Sequence, residues 1–194
     1  MNDSASGGYV TPESAAPADD EALDKLLQQA VAGITGLAGA LVRPRWQGSM
    51  PNMPPADTTW CAVGFLERRP DTFAYARHVS AGQGSDIVQR QVEMDALASF
   101  YGPRGGEYAA LLCDGLSVGQ NRDVIRAGGL VFVSQGAITP APVLTNNQWI
   151  RRYDLPLVFR RQSNRTYPIR NILSAGGTIS ADDPPVTTIW NVEQ

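Results

Sequence analysis

Nucleophiles and metal ligands are scarce in this chain of 194 residues, which has one histidine (His78), two cysteines (Cys61 and Cys113) and one lysine (Lys25). A hydrolase or transferase needs a nucleophile, a base and a group to orient them. His78 closes a strand-like segment with no Ser or Cys signature beside it, and no GxSxG elbow occurs. Two cysteines with no CxxC spacing make neither a disulfide framework nor a zinc site, so both are expected as free thiols and core fillers. The longest uncharged apolar run, Ala30 to Val42, has thirteen residues, short of the roughly twenty that span a bilayer. The start has no basic n-region and no apolar h-region, so no secretory signal is read and the expectation is a soluble, cytosolic protein. The glycines of SAGQGS and GPRGG lack a following GK[ST] and read as turns, not as a phosphate loop.

What is present is arginine and alternation. Fifteen of the sixteen basic residues are arginines, whose planar fork suits bidentate pairing with carboxylates, although a codon bias would give the same count. Six of the nineteen acids precede Lys25, and from Lys25 onward sixteen basic residues face thirteen acidic ones. The leader, residues 1–20, is acidic and rich in Ser, Ala, Gly and Pro, the composition of a flexible arm. The body is mildly basic.

Asp19 or Asp20 is positioned to cap a helix from Glu21 to Gly33, with Leu23, Leu26, Leu27, Ala30 and Val31 on one face. The loop Pro44 to Asp57, which contains PNMPP at Pro51 to Pro55, should hold nothing regular. Thr58–Arg68, Thr72–Val79 and a long strand from Ser85 to Phe100 are expected as a three-stranded antiparallel meander. Glu107–Val118 and Arg122–Arg126 have helical spacing, and Leu130–Ile138, Trp149–Arg161, Thr166–Leu173 and Pro185–Val192 read as strands. The fold class is α+β, an antiparallel or mixed β-sheet with helices packed on one face. One domain over residues 21–177 is expected, with 178–194 as an extension or a strand that contacts a partner.

The long strand raises the functional question, because Val88, Val92, Met94, Ala96, Ala98 and Phe100 alternate with Gln89, Gln91, Glu93 and Asp95. A pair such as Glu93 and Asp95 holds magnesium in many nucleases, but plain polar alternation on an antiparallel strand produces it as well. Arg151, Arg152, Arg160, Arg161, Arg165 and Arg170 cluster with Asp154 as the only acid among them. They suit phosphates or a partner's carboxylates, yet no helix-turn-helix or RNA-binding signature accompanies them. These are the features of a piece in an assembly. A strand polar on one side and longer than its sheet requires suits the wall of a ring, with Gln89 and Gln91 toward the lumen and Glu93 and Asp95 offered to the Arg151, Arg152, Arg160 and Arg161 of a neighbouring copy.

Five stretches in order carry a resemblance: Arg69–Tyr75 (RPDTFAY), Gly84–Arg90 (GSDIVQR), Ser99–Pro103 (SFYGP), Asp114–Arg122 (DGLSVGQNR) and Thr166–Pro168 (TYP). Over roughly Leu41 to Gly177 the chain resembles the neck or tail terminator proteins of tailed bacteriophages. The resemblance implies a structural virion protein with no catalytic residue and no cofactor. Such a protein forms a ring, hexameric by that likeness, on the last ring of the tail tube, ends its polymerisation and receives the head-side connector. It also meets the sheath where the tail contracts, and DNA passes through it non-specifically. The acidic arm and the PNMPP loop are the segments expected to order only against a partner. Three other readings stay open: another virion ring such as a tube or head-completion protein, a magnesium nuclease built on Glu93 and Asp95, and a nucleic-acid-binding module built on the C-terminal arginines.

Overall fold

The computed structural model describes residues 2–47, 53–145, 147–182 and 185–193. The chain runs α1 (Asp20–Thr35), a short 3-10 turn, β1 (Val42–Pro44), β2 (Trp60–Pro70), β3 (Tyr75–Val79), β4 (Ser85–Tyr101), α2 (Gly105–Ser117) and α3 (Gly119–Ala127). It continues through β5 (Val131–Gln135), β6 (Thr139–Pro140), β7 (Val143–Thr145), β8 (Gln148–Ile150), β9 (Arg152–Tyr167), β10 (Ser174–Asp182) and β11 (Pro185–Glu193). The class is mixed α+β, as the patterning implied. The main sheet has the order β1-β2-β4-β9-β5, with β3 also on β4 and β6 on β9. β1 joins β2 in parallel and β2 joins β4 antiparallel. The chain divides into two compact units, one of residues 1–15, 74–89 and 164–194, the other of 16–73 and 90–163.

The second unit holds the core. α1 is capped at Asp19, whose side chain accepts from the backbone N–H of Asp20, and ends at Gly36 in the left-handed conformation. Its buried face of Leu23, Leu27 and Val31 packs with Leu112 and Leu116 of α2, Ile125 of α3 and the inward residues of three strands. Those residues are Cys61, Val63 and Phe65 on β2, Met94, Ala96, Ala98 and Phe100 on β4, and Leu155, Leu157 and Phe159 on β9. The period-2 alternation of these strands places every one of them on the helix side, which is why one face is apolar and the other polar.

The expected meander does not form. β2 pairs with the Val92–Tyr101 part of β4 and β3 with the Ser85–Gln89 part, so both join β4 and neither joins the other. The long strand was read nearly at its full length, since β4 has 17 residues against the expected Ser85–Phe100. The expected single strand Trp149–Arg161 is divided at Arg151, whose carbonyl accepts from the N–H of Gly102 at 3.0 Å. Gly102 itself has φ +94°, and a Cβ there would sit 2.5 Å from the Thr58 carbonyl oxygen. Gly102→Ala is therefore expected to cost about 1–3 kcal/mol, measured as a lower melting temperature with an unchanged circular dichroism spectrum.

In the first unit the acidic arm is bonded to its own chain. Glu13 donates its N–H to the Thr166 carbonyl at 2.8 Å, Ser4 to that of Pro168 at 3.3 Å, and Arg170 Nε donates to Asp3 at 2.8 Å. The Arg170 guanidinium, with the N–H groups of Ala5 and Ser6, holds the Asp3 carboxyl below the usual carboxylate range. The expected arm thus has partners within the chain itself. Of the expected PNMPP contact, residues 51–52 lie outside the described residues. The terminal strand pairs with β10 through nine consecutive residues, from Ser174 opposite Glu193 to Asp182 opposite Pro185, so its backbone partner is in the same chain. The expected strand Thr166–Leu173 is instead the end of β9 followed by non-strand residues to 173.

Candidate functional site

The outer, polar face of the second unit's sheet owes the charged residues that β2 brings to it to one irregularity. Along β2 the residues Cys61, Val63 and Phe65 point inward, and a bulge at Leu66 then shifts the register by one. A one-residue shift exchanges the two faces of a strand. Glu67 and Arg69 consequently lie opposite Asp95 and Glu93 on the outer face, while Arg68 lies opposite Met94 on the helix side. Without the bulge, Glu67 and Arg69 would be driven into the core.

Arg69 organises the acids of that face. Its two terminal nitrogens donate to both carboxylate oxygens of Asp95, at 2.6 and 2.7 Å, and one also reaches Glu93 at 3.1 Å. Glu67 lies 3.0 Å away and Arg160 closes the row on Glu93 at 3.3 Å. Hydrogen bonding to Asp95, then to Glu93, raises the Arg69 pKa further above its ordinary value. Fork-to-carboxylate bonding of this kind fixes geometry more than it adds stability at an exposed site. Glu93 and Asp95, expected to meet a neighbour's arginines or a magnesium ion, are engaged by Arg69 and Arg160 of the same chain. Among the described residues no group of three or more His, Cys, Asp or Glu side chains is arranged to hold a metal ion.

A second chain of polar contacts crosses the same face. Arg45 donates to the Ser99 hydroxyl at 2.6 Å, that hydroxyl donates to Asp154 at 2.6 Å, and Arg152 donates to the other Asp154 oxygen at 2.7 Å. Ser99 is fully buried beneath Arg45, whose side chain crosses Gly64 so closely that a Cβ there would lie 2.9 Å from the Arg45 Cβ. Burial works to lower the pKa of Arg152, but the bond to Asp154 and its charge outweigh burial and leave it raised. β4 and β9 run antiparallel, since Gln91 meets Gln162 at 3.1 Å, Glu93 meets Arg160 and Ser99 meets Asp154.

The other candidates divide between the faces. Arg160 is exposed on the outer face, and Arg151 is exposed beside Gly102. Gln91 is half-buried in its bond to Gln162; Gln89, also half-buried, pairs its backbone opposite Tyr75 of β3. Arg161 belongs to the helix side with Leu155, Leu157 and Phe159 and is 9% exposed. It donates to the Ala18 carbonyl and to Asp19 at 3.3 Å, and Arg68 also binds Asp19, so two arginines from two strands hold the start of α1. Burial works to raise the Asp19 carboxyl, but the Asp20 N–H and the charges of Arg161 and Arg68 hold it below its usual value. Arg161 is thus committed to its own chain and not to the exposed cluster. The Cys61 thiol is fully buried and burial pushes it far up, out of the range of a nucleophile.

Sequence reasoning passed over Arg69, Glu67, Arg68 and Arg45, because Arg69, Arg68 and Arg45 find partners on elements distant in the sequence and the face of Glu67 depends on the bulge. One signal was available: Phe65 and Leu66 are successive large apolar residues ahead of a charged run, the composition at which a two-residue period must slip.

The phage neck terminator protein family matches residues 21–183. The chain belongs to that family. A search of curated proteins finds no match. Membership gives it a structural role in the neck of a tailed-phage virion, among other head and tail proteins. Among the described residues no helix is long and apolar enough to cross a membrane.

Proposed function

We propose that this neck terminator works as a ring, six copies by likeness to its family, that caps the last ring of the tail tube, ends tube growth and offers a platform to the head-side connector. In a contractile tail the same ring would meet the top of the sheath. The observation that supports this reading best is the outer sheet face. Its Arg45, Arg69, Arg152 and Arg160 stand against Glu67, Glu93, Asp95 and Asp154, so the face is strongly polar and these charges compensate one another. A wall of this kind neither grips nor repels a passing polyanion, since the long-range field of a compensated surface is small. The polar lumen belongs in this proposal with Gln91 and the ion-paired row, and DNA traverses it without sequence preference.

The test mixes the purified protein with purified tail tubes, reading mass by light scattering and tube ends by negative-stain microscopy. Binding confined to tube ends, with growth halted, is expected. Unlimited tubes formed by the protein alone would mark it as a tube protein, and absence from tube ends would remove the capping role.

A further inference from the structure

Two features of the second unit have nothing seated over them among the described residues. The first is a groove of about 950 Å³ between the start of α1 and the end of β2. Its walls carry Asp20, Glu21 and Asp24 against Lys25 and Arg68, and Glu67, also on the wall, is held by Arg69. Two large exposed apolar residues stand in it: Trp46, 64% exposed although its indole N–H donates to the Phe65 carbonyl at 3.0 Å, and Leu66, the bulge residue, 52% exposed. Burial lifts the Asp24 carboxyl above the usual carboxylate range, with Arg68 opposing and Asp20 reinforcing the shift.

The second feature is the small hairpin of β7 and β8. It forms its own two-stranded sheet, in which Leu144 lies directly opposite Trp149. Both are exposed, Trp149 to 69%. An isolated two-stranded hairpin has little stability in water, and an aromatic–aliphatic cross-strand pair normally contributes by being covered. Arg151, exposed and with no charge partner among the described residues, follows the hairpin immediately. Tryptophan and arginine side by side are the residue types that most often anchor an interface.

We propose that the β7–β8 hairpin of one copy seats Trp149 and Leu144 in the α1–β2 groove of the next copy, with Arg151 meeting Asp24. The two surfaces match in both respects that decide such contacts, apolar residues facing apolar residues and an unpaired cation facing an excess of acid. Groove and hairpin are different patches of one chain, so the contact is head-to-tail, and successive copies close into a ring where the rotation permits. This deepens the ring reading above by naming the surfaces through which copies touch.

The experiment measures self-association of the full chain without tubes, by sedimentation over a range of concentrations, for the native protein, Arg151→Glu, Asp24→Lys and an equimolar mixture of the two variants. Each reversal puts like charges face to face and is expected to weaken association at least about tenfold. The mixture is expected to recover it, because the two introduced charges oppose each other at one contact and the native pair at the alternate contact. Trp149→Ala should weaken association in a way that added salt does not alter. If Asp24→Lys does not fold, Glu21→Lys, exposed on the same groove wall, carries the same reversal. Association unchanged by the reversals, or a mixture no better than either variant, would overturn the inference. So would a native protein that never associates with itself, or reversals that alter only binding to tube protein. A recovered mixture that still fails to cap tubes would remove the capping role and leave this contact standing.

Discussion

Phe159→Ala is expected to destabilise the second unit by about 3–5 kcal/mol, the range for removing a buried aromatic side chain from a core that cannot collapse around the void. The reason lies in its position. Phe159 is 1% exposed on the central strand pair, and its ring meets Phe65 edge-on at 6.0 Å and Phe132 at 5.9 Å. One truncation thus removes its own burial and leaves two aromatic edges without a partner. β9 lies between β4 and β5, so rigid pairing on both sides limits relaxation. Urea unfolding followed by tryptophan fluorescence measures the loss. Phe159→Leu, which keeps most of the volume, should cost less than half as much, and a loss below about 1 kcal/mol for the alanine variant would show that the surrounding core is soft.

Asp19→Ala is expected to reach a similar size for an electrostatic reason. It removes the N-cap of α1, worth about 0.5–2 kcal/mol, and it strips Arg161 of its only acidic partner among the described residues while that guanidinium stays nearly buried. Leaving one member of a buried pair uncompensated commonly costs about 3–5 kcal/mol, whereas removing both members leaves no such orphan. Arg161 Nε already lacks a hydrogen-bond acceptor among the described residues, so the site has little reserve. The double variant Asp19→Ala, Arg161→Met should therefore be more stable than Asp19→Ala alone, a non-additivity that a mutant cycle reads directly. The pH dependence has a definite sign. The folded Asp19 carboxyl titrates below its ordinary value of 3.8, so its stabilisation is complete above that value and is lost as pH falls through the lower, folded one. Asp19→Asn should accordingly flatten the stability curve below about pH 4. An acid limb identical to that of the native protein would show that Asp19 is solvated and not gripped.

Much of the fold was legible because it is written in short-range periods. The 17-residue β4, the apolar stripe of α1 and the capping acid at Asp19 each follow from spacing within one segment, and spacing is local. The five motifs in order pointed to the neck terminator family before any pairing was known, and the α+β class follows from the succession of helical and alternating segments.

What depended on partners was read less well. The turn after Pro70 resembled the corner of a meander, yet hydrogen bonding sends β2 and β3 to different parts of β4. Arg161 stands at an odd position of β9, in step with Leu155, Leu157 and Phe159, so the period alone placed it inward. Its charge suggested the opposite, and only the nearby start of α1, 142 residues earlier in the chain, supplies the carboxylate that makes an inward arginine tolerable. Glu93 and Asp95 looked available for a neighbour for the same reason. The sequence by itself determined which residues alternate, which segments coil and where charge accumulates, since these depend on side chains a few positions apart. Only the tertiary structure decided which arginine meets which acid, because a one-residue bulge at Leu66 sets the faces of β2 and no local pattern counts registers across strands.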